Sequence, residues 1–370
     1  MFSAAAISPV AVSIVTGFLG AGKTTLLNRL LKDPRLSDTA VIINEFGDVG
    51  IDHLLVEQAS DGVIELSDGC LCCTVRGELV DTLADLVDRL QTGRIEHLKR
   101  IVIETTGLAD PVPVLQSVMG HPALAQAFRL DGVIAVVDAV NGAATLDAHE
   151  EAVRQVAVAD RIVLAKSELA NTAEAEGLQK RLRALNPSAA ILESAEADYA
   201  ALFDCGLYDP ETKTADVRRW LGEDAHGHDH DHAGHDHDDH GHHHHHDDRI
   251  RTFSLVHDRP LPYTAVENFL DLLRATRGEQ LLRMKGIIEI AEDPSRPLVI
   301  HGVQKMLHPP ARLPAWPEGG RGTRIVLITM DLDEDYVRRL FAAFAGQPRP
   351  DTPDRQAMED NPLAISGFRP

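Results

Sequence analysis

The sequence predicts an α/β fold, with a parallel sheet flanked by helices and a smaller α+β domain after it. Through about the first 200 residues, short runs rich in Val and Ile alternate with helical patterns, which is typical of strands covered on both faces and joined by right-handed crossovers. A glycine-rich motif lies between the first strand and the first helix. A stretch of almost pure His, Asp and Gly then precedes a second pattern of strands and helices.

The elements follow from the period of the apolar residues. The strands predicted in the first domain are Ala11–Val15, Val41–Ile43, Arg100–Ile103, Val133–Val137 and Arg161–Leu164, and the helices between them are Thr24–Leu31, Gly77–Leu90 and Ala173–Leu185. The second domain is predicted to contain strands Arg251–Val256 and Arg324–Leu332, a hairpin of Ile287–Ile290 with Leu298–Gly302, and helices Tyr263–Arg274 and Glu334–Ala345. The predicted units are residues 1–223, a disordered linker at 224–248, a second domain at 249–346 and an extended tail at 347–370.

Composition limits the classes of function. The chain has 370 residues, 44% of them hydrophobic, which fits two domains with sizeable cores. A net charge of −21 argues against nucleic acid as the main partner, because phosphate backbones need Lys and Arg. No apolar run reaches the roughly 18 residues that span a bilayer, and the uncharged start predicts no cleaved leader. We therefore expect no membrane contact and a cytoplasmic location, where thiols stay reduced.

The glycine-rich motif runs from Gly17 to Thr24 and matches G-x-x-x-x-G-K-[ST] in full. Its position between a strand and a helix predicts the sheet of a P-loop NTPase, with backbone N–H groups turned toward phosphates. Lys23 is expected to reach the β- and γ-phosphates, and the Thr24 hydroxyl to bind Mg²⁺. The predicted nucleotide-binding residues here are Gly17, Gly20, Ala21, Gly22, Lys23, Thr24 and Thr25.

Two further segments are predicted to contact the phosphates. Glu104 ends an apolar strand, where a carboxylate can hold Mg²⁺ or its waters, and Gly107 can donate its N–H to the γ-phosphate. Together with Lys23 these two residues form the predicted catalytic set. Residues 44–48 follow the second strand at the edge of the sheet where ligands bind, which predicts switch I.

A third segment bears on the base. Ala165-Lys166-Ser167-Glu168 follows a strand, and its carboxylate can accept hydrogen bonds from guanine N1–H and N2–H₂ while the lysine stem covers the ring. Adenine offers no such pair of donors. Lys166 and Glu168 are therefore the predicted guanine-binding residues, with an ordinary surface Lys and Glu as the alternative.

Three of the four cysteines lie in Cys70-Leu71-Cys72-Cys73, between the two predicted switches. Thiolates favour Zn²⁺, Cu⁺ or Co²⁺ over Mg²⁺, and three thiols leave one position of a tetrahedral ion open. Such an incomplete cage suits transfer. Glu45 and Asp48 are candidates for the remaining ligand. A redox thiol cluster is the alternative interpretation.

The linker at residues 224–248 contains twelve of the nineteen histidines. Neutral imidazoles bind several metal ions weakly and lose them as the pH falls below about 6.5. The alternative is a solvated spacer. The predicted weak metal ligands are His226, His228, His230, His232, His235, His237, His240, His242, His243, His244, His245 and His246.

These residues together resemble the CobW/YjiA family of P-loop GTPases, relatives of the nickel-handling proteins UreG and HypB. The motifs that carry the resemblance are Thr16–Thr25, Ile43–Gly47, Gly69–Cys73, Glu104–Pro111 and Val136–Ala139, with Leu281–Gly286 and Gly302–Gln304 in a region similar to the CobW C-terminal domain. The resemblance implies that the three cysteines carry a transferable metal, zinc or cobalt with nickel as a further candidate, under the control of GTP and GDP. It also implies delivery to client metalloproteins. The family pattern Asn/Thr-Lys-x-Asp reads Ala165-Lys166-Ser167-Glu168 here, which weakens the expectation of strict guanine selectivity.

The sequence thus predicts a GTP-hydrolysing metallochaperone for zinc, and two other functions stay open. One is a passive metal store that uses the His-rich linker, in which GTP hydrolysis plays no part. The other is a P-loop kinase for a small molecule, against which the cysteine loop and the Lys166–Glu168 pattern argue. Related G proteins dimerise, so a nucleotide-dependent homodimer is a further expectation.

Overall fold

A computed structural model describes residues 9–43, 63–65, 74–95, 97–194, 202–203, 249–308, 310–317 and 321–346. These residues form two sheets, one parallel and one antiparallel, each covered by helices. Among them no helix has both the length and the apolar character that a bilayer crossing requires.

The first sheet has seven parallel strands in the order β3-β2-β4-β1-β5-β6-β7. The strands are β1 Val10–Thr16, β2 Thr39–Ile43, β3 Val63–Glu65, β4 Arg100–Glu104, β5 Phe128–Asp138, β6 Arg161–Ala165 and β7 Ala190–Glu193. The predicted parallel sheet is confirmed. The edge strands β3 and β7 were not predicted, because runs of three or four residues do not stand out from loops. Strand β5 begins at Phe128 and not at the predicted Val133. The prediction began too late because Asp131 interrupts the apolar pattern of the strand.

The helices around this sheet are α1 Lys23–Leu31, α2 Thr74–Gln91, α3 Val112–Gly120, α4 Pro122–Ala127, α5 Gly142–Ala148, α6 Glu150–Val158 and α7 Thr172–Leu185, with 3₁₀ turns at Pro34–Leu36 and Ser167–Leu169. Helices α3 to α6 were not predicted. Each has nine residues or fewer, so its apolar period is short, and Pro122 and His149 separate helices that follow one another closely.

The second sheet is antiparallel in the order β11-β10-β9-β13-β8, and β12 pairs with β10. Its elements are β8 Ile250–His257, α8 Tyr263–Arg277, β9 Leu281–Ile288, β10 Leu298–Val303, β11 Met306–Leu307, β12 Ala311–Arg312, β13 Thr323–Met330 and α9 Glu334–Phe344. Helices α8 and α9 cover the sheet through buried Phe269, Leu273 and Phe341. This arrangement confirms the predicted α+β unit.

Two predicted strands differ from the observed ones. The first strand of the hairpin was placed at Ile287–Ile290, but β9 begins at Leu281 and pairs Ile288 with Leu298. The prediction was wrong because Arg283 and Lys285 interrupt the apolar run, although both side chains are buried. Strand β13 ends at Met330 and not at Leu332, because Asp331 has a left-handed backbone with φ 52°.

The buried cations Arg283 and Lys285 share one carboxylate across the boundary between the two sheets. The carboxylate of Asp160, which follows α6, pairs with the Arg283 guanidinium and with Lys285 Nζ at 2.9 Å. It also accepts the backbone N–H of Val133. Burial alone would raise the pKa of Asp160, but the two cations outweigh it and hold the pKa well below its usual range.

Apolar contacts surround this cluster. Ala157 and Val158 at the end of α6 share one core with residues of β9, β10 and β13, including Leu282 and Ile328. A second ion cluster lies at the start of α6, where the Arg249 guanidinium pairs with Glu150 and Asp331. Helix α6 is therefore fixed to the second domain near both of its ends.

A histidine pair lies in the second domain. The rings of His301 on β10 and His308 contact one another with centroids 3.7 Å apart and planes tilted by 32°, and the His301 carbonyl accepts the His308 N–H. Burial, with the charge of Arg283 nearby, lowers the pKa of His301 far below its usual value and that of His308 to about 3. Both imidazoles are therefore neutral in the folded protein at neutral pH.

This pair predicts that the protein loses stability in mild acid. Below about pH 6.5 the two imidazoles bind protons in the unfolded state but stay neutral in the folded state. The free energy of unfolding therefore falls by up to about 1.4 kcal/mol per pH unit for each histidine. We expect a His308→Phe variant, which keeps an aromatic ring at this position, to lose less of its free energy of unfolding between pH 7.5 and pH 5.5 than the wild type. Denaturant unfolding at both pH values measures this, and equal losses would contradict the assignment.

Candidate functional site

The loop between β1 and α1 needs its glycines. Gly17, Gly20 and Gly22 have φ values of 145°, 73° and 105°, a region that other residues rarely adopt. A Cβ at Gly17 would lie 2.3 Å from the Val136 carbonyl oxygen on β5, so the loop also packs closely on the sheet. The chain then enters α1 at Lys23, which places a helix N-terminus at the end of the loop.

The side chain of Lys23 turns back over this loop. Its Nζ donates to the Gly17 carbonyl at 2.9 Å and lies 3.5 Å from the Phe18 carbonyl oxygen, and the residue is 8% exposed. A buried ammonium group beside backbone N–H groups and a helix N-terminus makes a site for anions. Thr24 follows in the first turn of α1 and is half-buried, while Thr25 is exposed.

Strand β4 brings the second predicted segment to this loop. Glu104 pairs in register with Val15 of β1, and the Thr105 hydroxyl donates to the Thr16 hydroxyl at 2.9 Å. Two residues further on, Gly107 lies against the loop so closely that a Cβ would be 2.6 Å from the Leu19 nitrogen. The structure therefore brings Glu104 and Gly107 to the glycine-rich loop.

The oxygen atoms here fit a magnesium ion, which takes hard oxygen ligands. Thr24 offers a hydroxyl, and Glu104, 5% exposed, offers a carboxylate. The hydroxyl of Thr106 is buried and has no hydrogen-bond partner in the described part of the chain. A buried polar atom of this kind is usually satisfied by a ligand, an ion or water.

Lys166 connects the loop to β5. Its backbone is left-handed with φ 61°, and its Nζ donates to the Gly20 carbonyl at 2.9 Å and to the Asp138 carboxylate at 2.7 Å. Asp138 also accepts the N–H groups of Val140 and Asn141. Partial burial would raise the pKa of Asp138, but the bonds from Lys166 and Asn141 lower it overall. Glu168 lies exposed in the 3₁₀ turn that follows.

A cavity of about 270 Å³ lies beside the loop, between β5 and helices α5 and α6. Gly20, Asp138, Gln155 and Lys166 contribute to its walls. Neither Asp138 nor Gln155 was predicted as a site residue. An acid at the carboxyl end of the Val-Val-Asp strand was a usable signal for Asp138, whereas nothing in the sequence marks Gln155.

The predicted metal ligands lie outside the described residues: Cys70, Cys72, Cys73, Glu45, Asp48 and the linker histidines at 226–246. Within the described ranges no group of three or more His, Cys, Asp or Glu side chains is arranged to hold a metal. The strands that lead into the two segments are described. Ile43 at the end of β2 is in register with Glu104 on one side and with Glu65, the last residue of β3, on the other.

Comparison with known proteins places this geometry in a family. The nucleotide-binding domain of CobW/HypB/UreG proteins matches residues 11–193, and the C-terminal domain of the cobalamin synthesis protein cobW matches residues 250–345. Over 341 residues the chain is 35% identical to the zinc chaperone YjiA of Escherichia coli K12, covering 92% of this chain and 99% of that protein. The chain belongs to the CobW/HypB/UreG family.

Two further similarities extend over nearly the whole chain. The zinc chaperone CobW of a Sinorhizobium species is 30% identical over 371 residues, which is 90% of this chain and 97% of the relative. The crystal structure of Zn(II)-bound YjiA GTPase from E. coli superposes with a TM-score of 0.66 at 29% identity, covering 91% of this chain and 99% of that one. The two-domain arrangement of this CobW/HypB/UreG protein is thus shared with a solved relative.

Proposed function

We propose that this CobW/HypB/UreG protein is a GTP-hydrolysing metallochaperone, which binds zinc at Cys70, Cys72 and Cys73 and delivers it to client metalloproteins under nucleotide control. Family membership makes the chain a P-loop GTPase. The observation that carries the proposal is the contact between the glycine-rich loop and Gly107, beside strands that lead into the cysteine segment. Its partners are client metalloproteins and, in a nucleotide-dependent homodimer, a second copy of this chain.

In the GTPase reaction the residues around the loop have separate roles. Lys23 and the N-terminus of α1 neutralise the β- and γ-phosphates, and the Gly107 N–H donates to the γ-phosphate. When bound, a magnesium ion held by Thr24 and Glu104 supplies further positive charge at the phosphates. The remaining nucleotide contacts are those of Gly17, Gly20, Ala21, Gly22 and Thr25 in the loop and first turn.

Recognition of guanine depends on the segment after β6. Lys166 donates hydrogen bonds to Asp138 and to the Gly20 carbonyl, which hold the aliphatic part of its side chain beside the loop. In the proposed complex this stem covers the ring of the base, and the carboxylate of Glu168 accepts the guanine N1–H and N2–H₂ donors.

Zinc is the cargo in this proposal, and thiolate chemistry supports it. Three thiolates bind Zn²⁺ but leave one tetrahedral position for Glu45, Asp48 or a ligand from the client. Cobalt and nickel are the other candidate metals. The histidines of residues 226–246 bind metal ions weakly in this proposal, and the names of the relatives YjiA and CobW, both zinc chaperones, favour zinc as the ion.

The order of the strands supports the proposed coupling between nucleotide and metal. Strands β3, β2 and β4 are adjacent, and they lead into the cysteine segment, switch I and Glu104 respectively. Adjacent strands lie about 4.8 Å apart, so the ends of β3 and β4 are about 10 Å apart. In this proposal, GTP orders the switches, and the metal affinity changes through the strands that lead into the cysteine segment.

Two variants test the proposal. Lys23→Ala is expected to lower GTP hydrolysis by about 100-fold or more, because it removes a charged donor to the transferring phosphate. Zinc bound at the thiolates in the GDP state should persist in this variant. Cys72→Ser should do the reverse, with tight zinc binding lost and basal GTP hydrolysis retained. Unchanged zinc affinity in Cys72→Ser would favour the storage alternative, in which the linker histidines hold the metal.

A further inference from the structure

Helix α6 holds a buried carboxamide against the segment that follows β4. Gln155 is 1% exposed, and its Nε2 donates to the carbonyls of Gly107 at 3.2 Å and Ala109 at 3.0 Å. Both partners are acceptors, so the chemistry itself requires the nitrogen of the amide to face them. The Ala109 N–H donates in turn to the Thr106 carbonyl, which closes a turn over Thr106–Ala109.

The same helix binds this segment a second time and continues into the second domain. Arg154, next to Gln155, lies 3.6 Å from the Asp110 carboxylate. Five residues beyond Gln155, Asp160 pairs with the buried cations Arg283 and Lys285 of β9. One short, rigid element therefore touches the Gly107 segment on one side and the second domain on the other.

We propose that Gln155 is a positioning residue of the GTPase reaction. Its two hydrogen bonds fix the Thr106–Ala109 turn so that the Gly107 N–H faces the γ-phosphate. Because α6 is also bound to the second domain, the position of the Gly107 N–H depends on that domain. The inference rests on the proposed function, because it takes the Gly107 N–H as a donor to the γ-phosphate. Gln155 itself contacts neither nucleotide nor metal in this account.

A glutamine suits this place better than similar side chains. Buried carbonyls need a hydrogen-bond donor, and the Gln155 amide nitrogen donates one of its two hydrogens to each of the two carbonyls. Methionine has about the same length and leaves both carbonyls without these bonds. Glutamate places oxygen atoms against oxygen atoms unless it is protonated, in which case its carboxyl can donate one hydrogen bond.

The test compares Gln155→Met with Gln116→Met in the full chain. Gln116 on α3 is the matched control, since its carboxamide donates to the Gln304 carboxamide of the second domain at 3.3 Å. For Gln155→Met we expect kcat to fall by about 10- to 100-fold with KM within about threefold, because small displacements of a reacting group cost that much. The affinity for a non-hydrolysable GTP analogue relative to GDP should also fall, by a factor no larger than the change in KM. Gln116→Met should change neither quantity.

A second variant covers the case in which Gln155→Met does not fold. In Gln155→Glu, protonation restores one donor, so the ratio of its kcat to that of the wild type should rise as the pH is lowered from 8 to 6. A flat ratio would overturn the proposal, as would a lower melting temperature of Gln155→Met with unchanged kcat and unchanged relative affinity. If the wild type hydrolyses no GTP, the proposed function fails, and the relative affinity for the two nucleotides still tests Gln155.

Discussion

A Gly107→Ala variant is expected to bind GDP normally and to hydrolyse GTP about 100-fold more slowly, since displacement of a positioned group by about 1 Å costs this much. The added Cβ would lie 2.6 Å from the Leu19 nitrogen and 2.8 Å from its Cα, so the glycine-rich loop and the Gly107 segment must separate. The Gly107 N–H then no longer reaches the γ-phosphate. Single-turnover hydrolysis and GDP titration measure the two halves of this expectation.

Gly177→Ala is the matched control for this variant. Gly177 lies inside α7, where a Cβ would meet no atom within 4 Å. We expect this change to leave hydrolysis unaltered and to stabilise the protein by roughly 0.5–1 kcal/mol, because alanine favours the helix. If Gly107→Ala hydrolyses GTP at the wild-type rate, the contact between Gly107 and Leu19 has no part in the reaction.

The ion cluster around Asp160, at the boundary between the domains, is expected to contribute strongly to stability. Asp160→Asn should lower the free energy of unfolding by about 3–5 kcal/mol, because it removes the carboxylate that pairs with the buried cations Arg283 and Lys285. Denaturant unfolding in the absence of nucleotide measures the loss. Asp147→Asn is a suitable control, since Asp147 pairs with Arg181 at 2.8 Å on the surface and such pairs contribute about 0–1 kcal/mol.

The Asp160 effect has a defined pH dependence. The folded pKa of Asp160 is depressed, so its contribution is fully present above the unfolded value of about 3.9 and is lost as the pH falls further. The difference between wild type and Asp160→Asn should therefore be constant from pH 7 to pH 5 and shrink toward pH 3. A difference that vanishes already at pH 6 would contradict the assignment of the charge to Asp160.

The parts of the fold that depend on local pattern could be predicted from the sequence. The P-loop motif, the apolar strands and helix α1 are continuous in the chain, and their periods and glycines are sufficient to locate them. Strand β9 was located only in part, because Arg283 and Lys285 are buried by a partner, Asp160, that lies more than a hundred residues away. Burial of charge depends on such tertiary partners, which a local pattern does not contain.

The same limit applies to the candidate site. Lys23, Glu104, Gly107 and Lys166 stand in motifs, so sequence reasoning identified them. Gln155 acts through two backbone carbonyls of a distant segment, and any glutamine in an amphipathic helix looks the same in sequence. The predicted ligands Cys70, Cys72 and Cys73 lie outside the described residues, and their role stays a prediction.

If the nucleotide sets the affinity of the cysteine site for metal, a competitive titration in the two nucleotide states will show it. Zn²⁺ and Co²⁺ would be titrated, with Mg²⁺ present, in GDP and in a non-hydrolysable GTP analogue. The twelve linker histidines would be replaced by asparagine, so that their weak sites do not mask the thiolates. We expect affinities that differ about 5- to 150-fold between the two nucleotides, with the difference lost in Cys72→Ser. Equal affinities in both nucleotides would contradict this expectation.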